Sequence, residues 1–417
     1  MIRSIGLISI CIKLTLANCA LADDWPQWNG PNRDGKSAET GLLAQWPADG
    51  PKLAWKATGF GAGYSSVSIA DGRLYTMGDK DGAGWLTAAS ADGGKILWST
   101  KVAKAGAPGV PGYDFPGPRS TPTVAGHLVF ALDGWGELVC CNANDGKEQW
   151  RKSFVKDLGG SPPTWGFSES PLVDGQQVVV TPGGRKGAVA AFGTKTGALI
   201  WQSKEFTDAA HYASIMPAEI DGVRQYIQLT SASVAGISAK DGALLWKAPR
   251  QANIAVIPTP LVMGNEIYVT SGYGAGCNLF KVAKTDGKFS AEQAYANHVM
   301  VNHHGGVVRV GDYIYGYSDG KGLTCQDVKT GKSIWTEKAK IKKGAVAFAD
   351  GKLYFREEET GTMILVDATP DGYHEKGRFK QPDRSEEKAW PHPAIANGKL
   401  YLRDQDVLLC YDIKAAP

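Results

Sequence analysis

Beyond the first two dozen residues, no stretch of this 417-residue chain is both apolar and long enough to cross a bilayer as a helix. Amphipathic helical windows of useful length are also missing, which points to an all-β chain. Charge of one sign is not in excess. The chain carries 45 basic and 42 acidic side chains, and no basic stripe or tail marks a nucleic-acid surface. Common catalytic signatures are absent too: there is no P-loop, no HExxH pair and no GxSxG elbow. The glycine group at residues 272–276 lacks the strand-to-helix setting that a dinucleotide site requires. Cysteine is scarce, and only five remain after residue 22, an odd number that cannot complete a disulfide framework.

Glycine, by contrast, is abundant, at 52 of 417 residues, or about 12% against an average near 7%. Much of it belongs to one recurring phrase. KTGKSIW at residues 329–335 returns as DGGKILW (92–98), DGKEQW (145–150), KTGALIW (195–201) and DGALLW (241–246), with weaker copies at 286–288 and 371–372. The turn glycines, Gly94, Gly146, Gly197, Gly242, Gly287, Gly331 and Gly372, are spaced by 41 to 52 residues, a period that signifies a repeat architecture.

Each copy is preceded by short runs rich in Val, Ile, Tyr and Thr, bounded by Gly or Asp, so the unit reads as a four-stranded antiparallel meander. Asp-Gly and Thr-Gly pairs at the bends suit turns with positive φ. A lone sheet of this kind would expose both faces and both edges, and radial stacking into a propeller solves that problem. The recurring Trp then lies between consecutive blades and buries a large ring there. Eight lead-in segments can be counted, near Tyr64, Arg119, Gly166, His211, Ile254, His303, Lys343 and Trp390, but only seven are followed by a complete outer strand. The eighth outer strand is expected from residues 49–58, so the fold expected is an eight-bladed β-propeller closed by an N-terminal strand.

Before that strand, Arg3, the apolar run 5–12 and the small-residue site 20–22 mark residues 1–22 as a cleaved secretory leader, leaving an arm over 23–48 and the propeller over 49–417. A secreted or periplasmic location follows as an expectation. Lipid attachment at Cys19 is the alternative.

The phrase CQDVKTGKSIW at residues 325–335 is similar to the tryptophan-docking motif of the pyrroloquinoline quinone (PQQ) repeat, A-x-D-x-x-T-G-x-x-x-W, and the resemblance extends over roughly residues 50–414. The resemblance implies a family containing quinoprotein alcohol dehydrogenases, which hold PQQ and calcium, and the envelope assembly lipoprotein BamB, which has the same blades and no cofactor. Fold alone does not choose between them. Cys140, Cys325 and Cys410 share one repeat position and are expected to be buried and inert. The adjacent Cys140–Cys141 pair falls inside the docking motif, away from the position of the cysteine ring in the resembled dehydrogenases, and no CxxCH haem site follows.

In a propeller, equivalent lead-in positions converge on one end of the central channel. Here they differ from blade to blade, and the candidate ligand ring comprises Tyr64, Arg119, Trp165, Glu169, His211, His303, His304, Trp390 and His392. Three readings stand for it. Arg119 and His304 could bind an anionic or hydroxylated ligand while Trp165 or Trp390 stacks on it. His303, His304, His392 and Glu169 could hold a metal, although adjacent histidines on a strand would point to opposite faces. Alternatively, the polar groups satisfy strand ends and channel waters. The leading function is a monomeric, non-catalytic binding or scaffold protein, taking a small polar or anionic ligand or an envelope protein at the channel mouth. The alternative is a quinone-dependent dehydrogenase of an alcohol or sugar, with PQQ and calcium in the ring.

Overall fold

Asp-Gly and Asn-Gly pairs set the short bends of this chain. Both residues take positive φ at Asp71-Gly72, Asp221-Gly222, Asp350-Gly351 and Asn397-Gly398, the geometry that folds a tight two-residue hairpin without splaying its strands. The structure, a computed structural model, describes residues 24–109, 115 and 117–416. The leader over 1–22 and the lipid-attachment reading at Cys19 lie outside the described residues.

Eight four-stranded antiparallel sheets follow one another along the chain, each pairing its strands in sequence order except the last. That sheet takes its outer strand from the other end of the chain. Lys52–Ala57 pairs antiparallel with Val407–Asp412, placing Lys52 opposite Asp412, so the ring is an eight-bladed propeller closed as expected. The only helix among the described residues is Phe154–Leu158, capped by Ser153, whose hydroxyl accepts the Lys156 N–H.

The repeated Trp and the repeated Gly turn out to be two halves of one lock between blades. The Trp of one blade lies against the turn glycine of the next, so a Cβ on Gly94, Gly146, Gly197 or Gly242 would come within 2.5–2.8 Å of Trp55, Trp98, Trp150 or Trp201 respectively. All four glycines also have positive φ, so the position excludes a side chain twice over. Each indole Nε1–H then donates to the carbonyl three residues before that glycine: Trp55 to Ala91, Trp98 to Ala143, Trp150 to Thr194 and Trp201 to Ala239. Trp335 does the same to Thr369. In the fifth blade, where the motif is degenerate, Tyr295 takes the Trp place, its hydroxyl donating to Val328 over a distance of 2.8 Å.

The five described cysteines are free and buried in the blades. Burial pushes the Cys140 and Cys141 thiols up to about 12, as expected for inert packing groups.

The arm before the propeller is an integral part of the ring. Trp25 bridges Ile69 in the first blade, and Pro26 accepts the Val124 N–H in the second. Arg33 reaches the third blade, and Ser37 and Leu43 bond to Phe348 and Ile413 in the seventh and eighth. Ile69, Val124 and Phe348 lie on innermost strands, Arg33 reaches the lead-in just before one, and Ile413 follows the third strand of its blade, so the arm runs along the channel side of the ring.

Candidate functional site

The lead-in segments carry two kinds of side chain with separate duties. Hydroxyls tie neighbouring blades together: Thr121 accepts the Ser66 N–H, Ser170 accepts the Thr121 N–H, and Ser214 accepts the Ser170 N–H. Ser66 in turn donates to the His392 carbonyl at 2.7 Å, linking the first blade to the eighth. This belt satisfies polar groups of the lead-in segments with bonds from blade to blade.

The large side chains between these hydroxyls line a cup of about 210 Å³. Tyr64, Arg119, Trp165, His303, His304, Trp390 and His392, all singled out from sequence, face it. His304 stacks on Trp390 with ring centroids 4.2 Å apart, and Trp390 packs on Tyr64 at 4.7 Å and on Phe115 at 4.8 Å. Trp28 of the arm lines the cup from its trailing side, held by an Nε1–H bond to Thr259 and packed on His392 at 4.5 Å. The arm thus gives the channel a floor.

Glu169 and His211 are not on the cup. Their neighbours Ser168, Ser170 and Tyr212 line it instead, because successive side chains of an extended segment point to opposite sides. Glu169 is buried, accepts the Thr181 N–H and lies near Arg33. Burial holds its carboxyl up at about 7, with Thr181 and Arg33 pulling the other way. His303 and His304 correct the expectation in the opposite sense. The chain bends at residues 303–305 instead of running as a strand, so both rings face the cup with centroids 3.6 Å apart.

Arg119 is the charged centre of the wall. Its guanidinium donates to the carbonyls of Trp165 at 2.9 Å and Phe115 at 3.2 Å, and no carboxylate is bonded to it among the described residues. Burial lowers its pKa, the sign of a cation held where water screens it poorly. Lys343 lies 2.8 Å from His303 Nδ1 and 3.0 Å from Asp319. Burial and then Lys343 depress His303 to about 3, and burial holds His392 at about 4 and His304 well below its ordinary value. All three imidazoles are therefore neutral near pH 7, so the 3.8 Å approach of His304 to Glu358 is not an ion pair.

These residues do not suit a metal or a calcium-bound quinone. Among the described residues no group of three His, Cys, Asp or Glu is placed to hold an ion. His303 Nδ1 is taken by Lys343, and His392 Nε2 by the His304 carbonyl. Calcium requires several oxygen ligands, yet no carboxylate lines the cup among the described residues; Glu387 and Glu358 hold Tyr64 and Trp390 from behind. Cys140 and Cys141 sit inside the second blade and do not line the cup.

Sequence reasoning missed Trp28, Phe115, Tyr212 and Tyr273. Trp28 carried a signal, an aromatic in the Pro-, Gly- and Asn-rich stretch PQWNGPNRDG of the arm.

Among known proteins, residues 82–337 match the profile of the family described as outer membrane protein assembly factor BamB. BamB of Shewanella oneidensis is 26% identical over 233 residues, 53% of this chain and 57% of the relative. BamB of Escherichia coli is 34% identical over 87 residues, 20% of this chain and 21% of the relative. The chain thus spans little more than half the length of the first of these relatives and about a fifth of the second. Among solved structures, BamB from Moraxella catarrhalis superposes with a TM-score of 0.61 at 14% identity, covering 90% of this chain and 99% of its own. Quinohemoprotein alcohol dehydrogenase from Comamonas testosteroni gives 0.62 at 10% identity, covering 95% and 81%. Identities this low report shared fold only. The profile match covers well over half the chain, and the protein belongs to the BamB family of PQQ-repeat propellers.

Proposed function

We propose that this is a non-catalytic binding protein of the cell envelope, acting as a monomer, whose ligand occupies the aromatic cup at the lead-in end of the channel. The observation that carries this reading is the cup itself, walled by Trp390, Trp165, Tyr64 and Phe115, floored by Trp28 and charged by Arg119, whose hydrogen-bond partners among the described residues are carbonyls. A concave aromatic site with a few converging polar groups is what a small molecule needs. The leader-like residues 1–22 and the envelope role in the names of the BamB relatives support the location. An envelope protein inserting a side chain into the cup would use the same surface.

The dehydrogenase alternative finds little in the same residues. It needs a base and a calcium shell, and among the described residues no carboxylate lines the cup. A dye-linked assay with PQQ, calcium and a panel of alcohols and sugars tests the reading. No reduction above the protein-free rate is expected, and turnover that disappears in Trp390→Ala would overturn it.

A further inference from the structure

We propose that the cup takes a small aromatic monocarboxylate, with its carboxylate on Arg119 and its ring against the Trp390 wall. This rests on reading the cup as a binding site and names the ligand's chemistry.

The polarity of the wall comes first. Arg119 offers a guanidinium whose bonded partners among the described residues are two backbone carbonyls. The Trp165 Nε1–H and the His303 Nε2, by contrast, are shielded from the cavity and out of a ligand's reach. A buried cation bonded to neutral carbonyls calls for a counter-charge that only accepts hydrogen bonds. A carboxylate does so, and the guanidinium fork matches its two oxygens.

The body of the ligand follows from the rest of the wall. A sugar acid would present several hydroxyls, each needing an acceptor as well as a donor. No carboxylate lines the cup among the described residues; Glu387 and Glu358 stand behind the wall, holding Tyr64 and Trp390. What the cup offers instead is ring faces: Trp390 with Tyr64 and Phe115 within 5 Å, and Trp165 beside Tyr212 at 6.2 Å. Aromatic pairs at such separations are favourable beyond their buried area. An apolar cavity of about 150 Å³ admits a benzene ring, so about 210 Å³ accommodates one ring with its carboxylate. A tricarboxylate such as PQQ would need counter-charges that this wall does not supply.

Calorimetric titration of the whole mature protein tests this with five probes: benzoate, 4-hydroxybenzoate, benzyl alcohol, benzylammonium and glucuronate. Benzoate and 4-hydroxybenzoate should saturate one site, benzyl alcohol should bind at least about tenfold more weakly, and benzylammonium should not bind. Arg119→Gln should weaken benzoate about 10- to 100-fold, the range for a lost charge-assisted bond. Trp390→Leu removes the ring face and leaves Arg119 in place, and should weaken benzoate about twofold to tenfold. If Arg119→Gln fails to fold, the wild-type ranking and Trp390→Leu still decide. Glucuronate or benzyl alcohol binding as tightly as benzoate overturns the ligand class and leaves the cup a binding site. Unchanged benzoate affinity in folded Arg119→Gln overturns the assigned orientation. No heat from any probe at millimolar concentration overturns this proposal and the small-molecule reading together, whereas turnover with PQQ overturns only the non-catalytic reading.

Discussion

Replacing Trp150 by alanine separates the lock between blades from simple hydrophobic filling. The ring is 9% exposed, lies against Gly197 of the next blade, and has Phe130 and Phe192 at centroid distances of 5.8 and 6.4 Å. An indole buries some 150–250 Å², which at ~25 cal/mol per Å² is about 4–6 kcal/mol as an upper bound. Partial relaxation brings the observed range for such truncations to about 3–5 kcal/mol. Its N–H bond to Thr194 at 2.8 Å contributes about 1 kcal/mol more. Trp150→Ala should therefore destabilise by about 4 kcal/mol. Trp150→Phe keeps most of the ring but loses the bond, and should cost about 1.5–2 kcal/mol. Urea unfolding followed by far-UV circular dichroism measures both, with m-values checked for constancy. An alanine variant within 1 kcal/mol of wild type, or a phenylalanine variant as unstable as alanine, would refute the lock.

Arg33→Met removes a buried guanidinium that donates to Ser170, Pro171 and Gln27. The lost bonds outweigh the relief of a desolvated charge whose pKa has fallen to about 10, so a net loss of about 2–4 kcal/mol is expected, again by urea titration. Acidification sets two groups of residues against each other. His303 at about 3 and His392 at about 4 bind protons only on unfolding, so stability falls as pH drops below 6.5. Glu169, raised to about 7, binds its proton in the folded state and offsets that loss between about pH 7 and 4.5. Glu169→Gln should therefore lose about 2–3 kcal/mol more than wild type between pH 7 and 4.5; identical pH profiles would contradict the assignment. A thiol reagent should leave Cys140 and Cys141 unmodified in the native protein and label them on denaturation, as mass spectrometry of the digested protein would show.

The propeller was legible because the lock between blades imposes the same chemistry at the same place in each copy. A Trp needs a glycine opposite it, and both then recur in the sequence. Where another device serves, the text of the repeat fades. In the fifth blade the hairpin Gly276–Thr285 and Lys288–Asn297 is longer than its counterparts, and Asp286-Gly287 lies at its tip, far from the place Tyr295 fills. The cup was legible as far as equivalence of lead-in positions reaches. Alternation then turned Glu169 away, and the bend at 303–305 turned both histidines inward, and neither detail is written in a single position. Trp28 escaped because its partner Thr259 is 231 residues distant and the arm has no counterpart in the repeat.

That arm explains why the two ends of the channel differ. Nothing in the docking motif favours one end of the channel as a site. Arg33 breaks the symmetry by bonding to the Ser170 carbonyl at 2.8 Å. Ser170 belongs to the hydroxyl belt and lines the cup, its Oγ accepting from Thr121 and its N–H donating to Ser214. The latch that fixes the floor is therefore one residue away, through a single peptide unit, from the wall that a ligand would touch. Floor and wall should give way together, so Arg33→Met should weaken benzoate binding by more than its effect on folding alone would require. A variant that loses stability yet binds benzoate as tightly as wild type would show that the arm is only packing, with no part in shaping the cup.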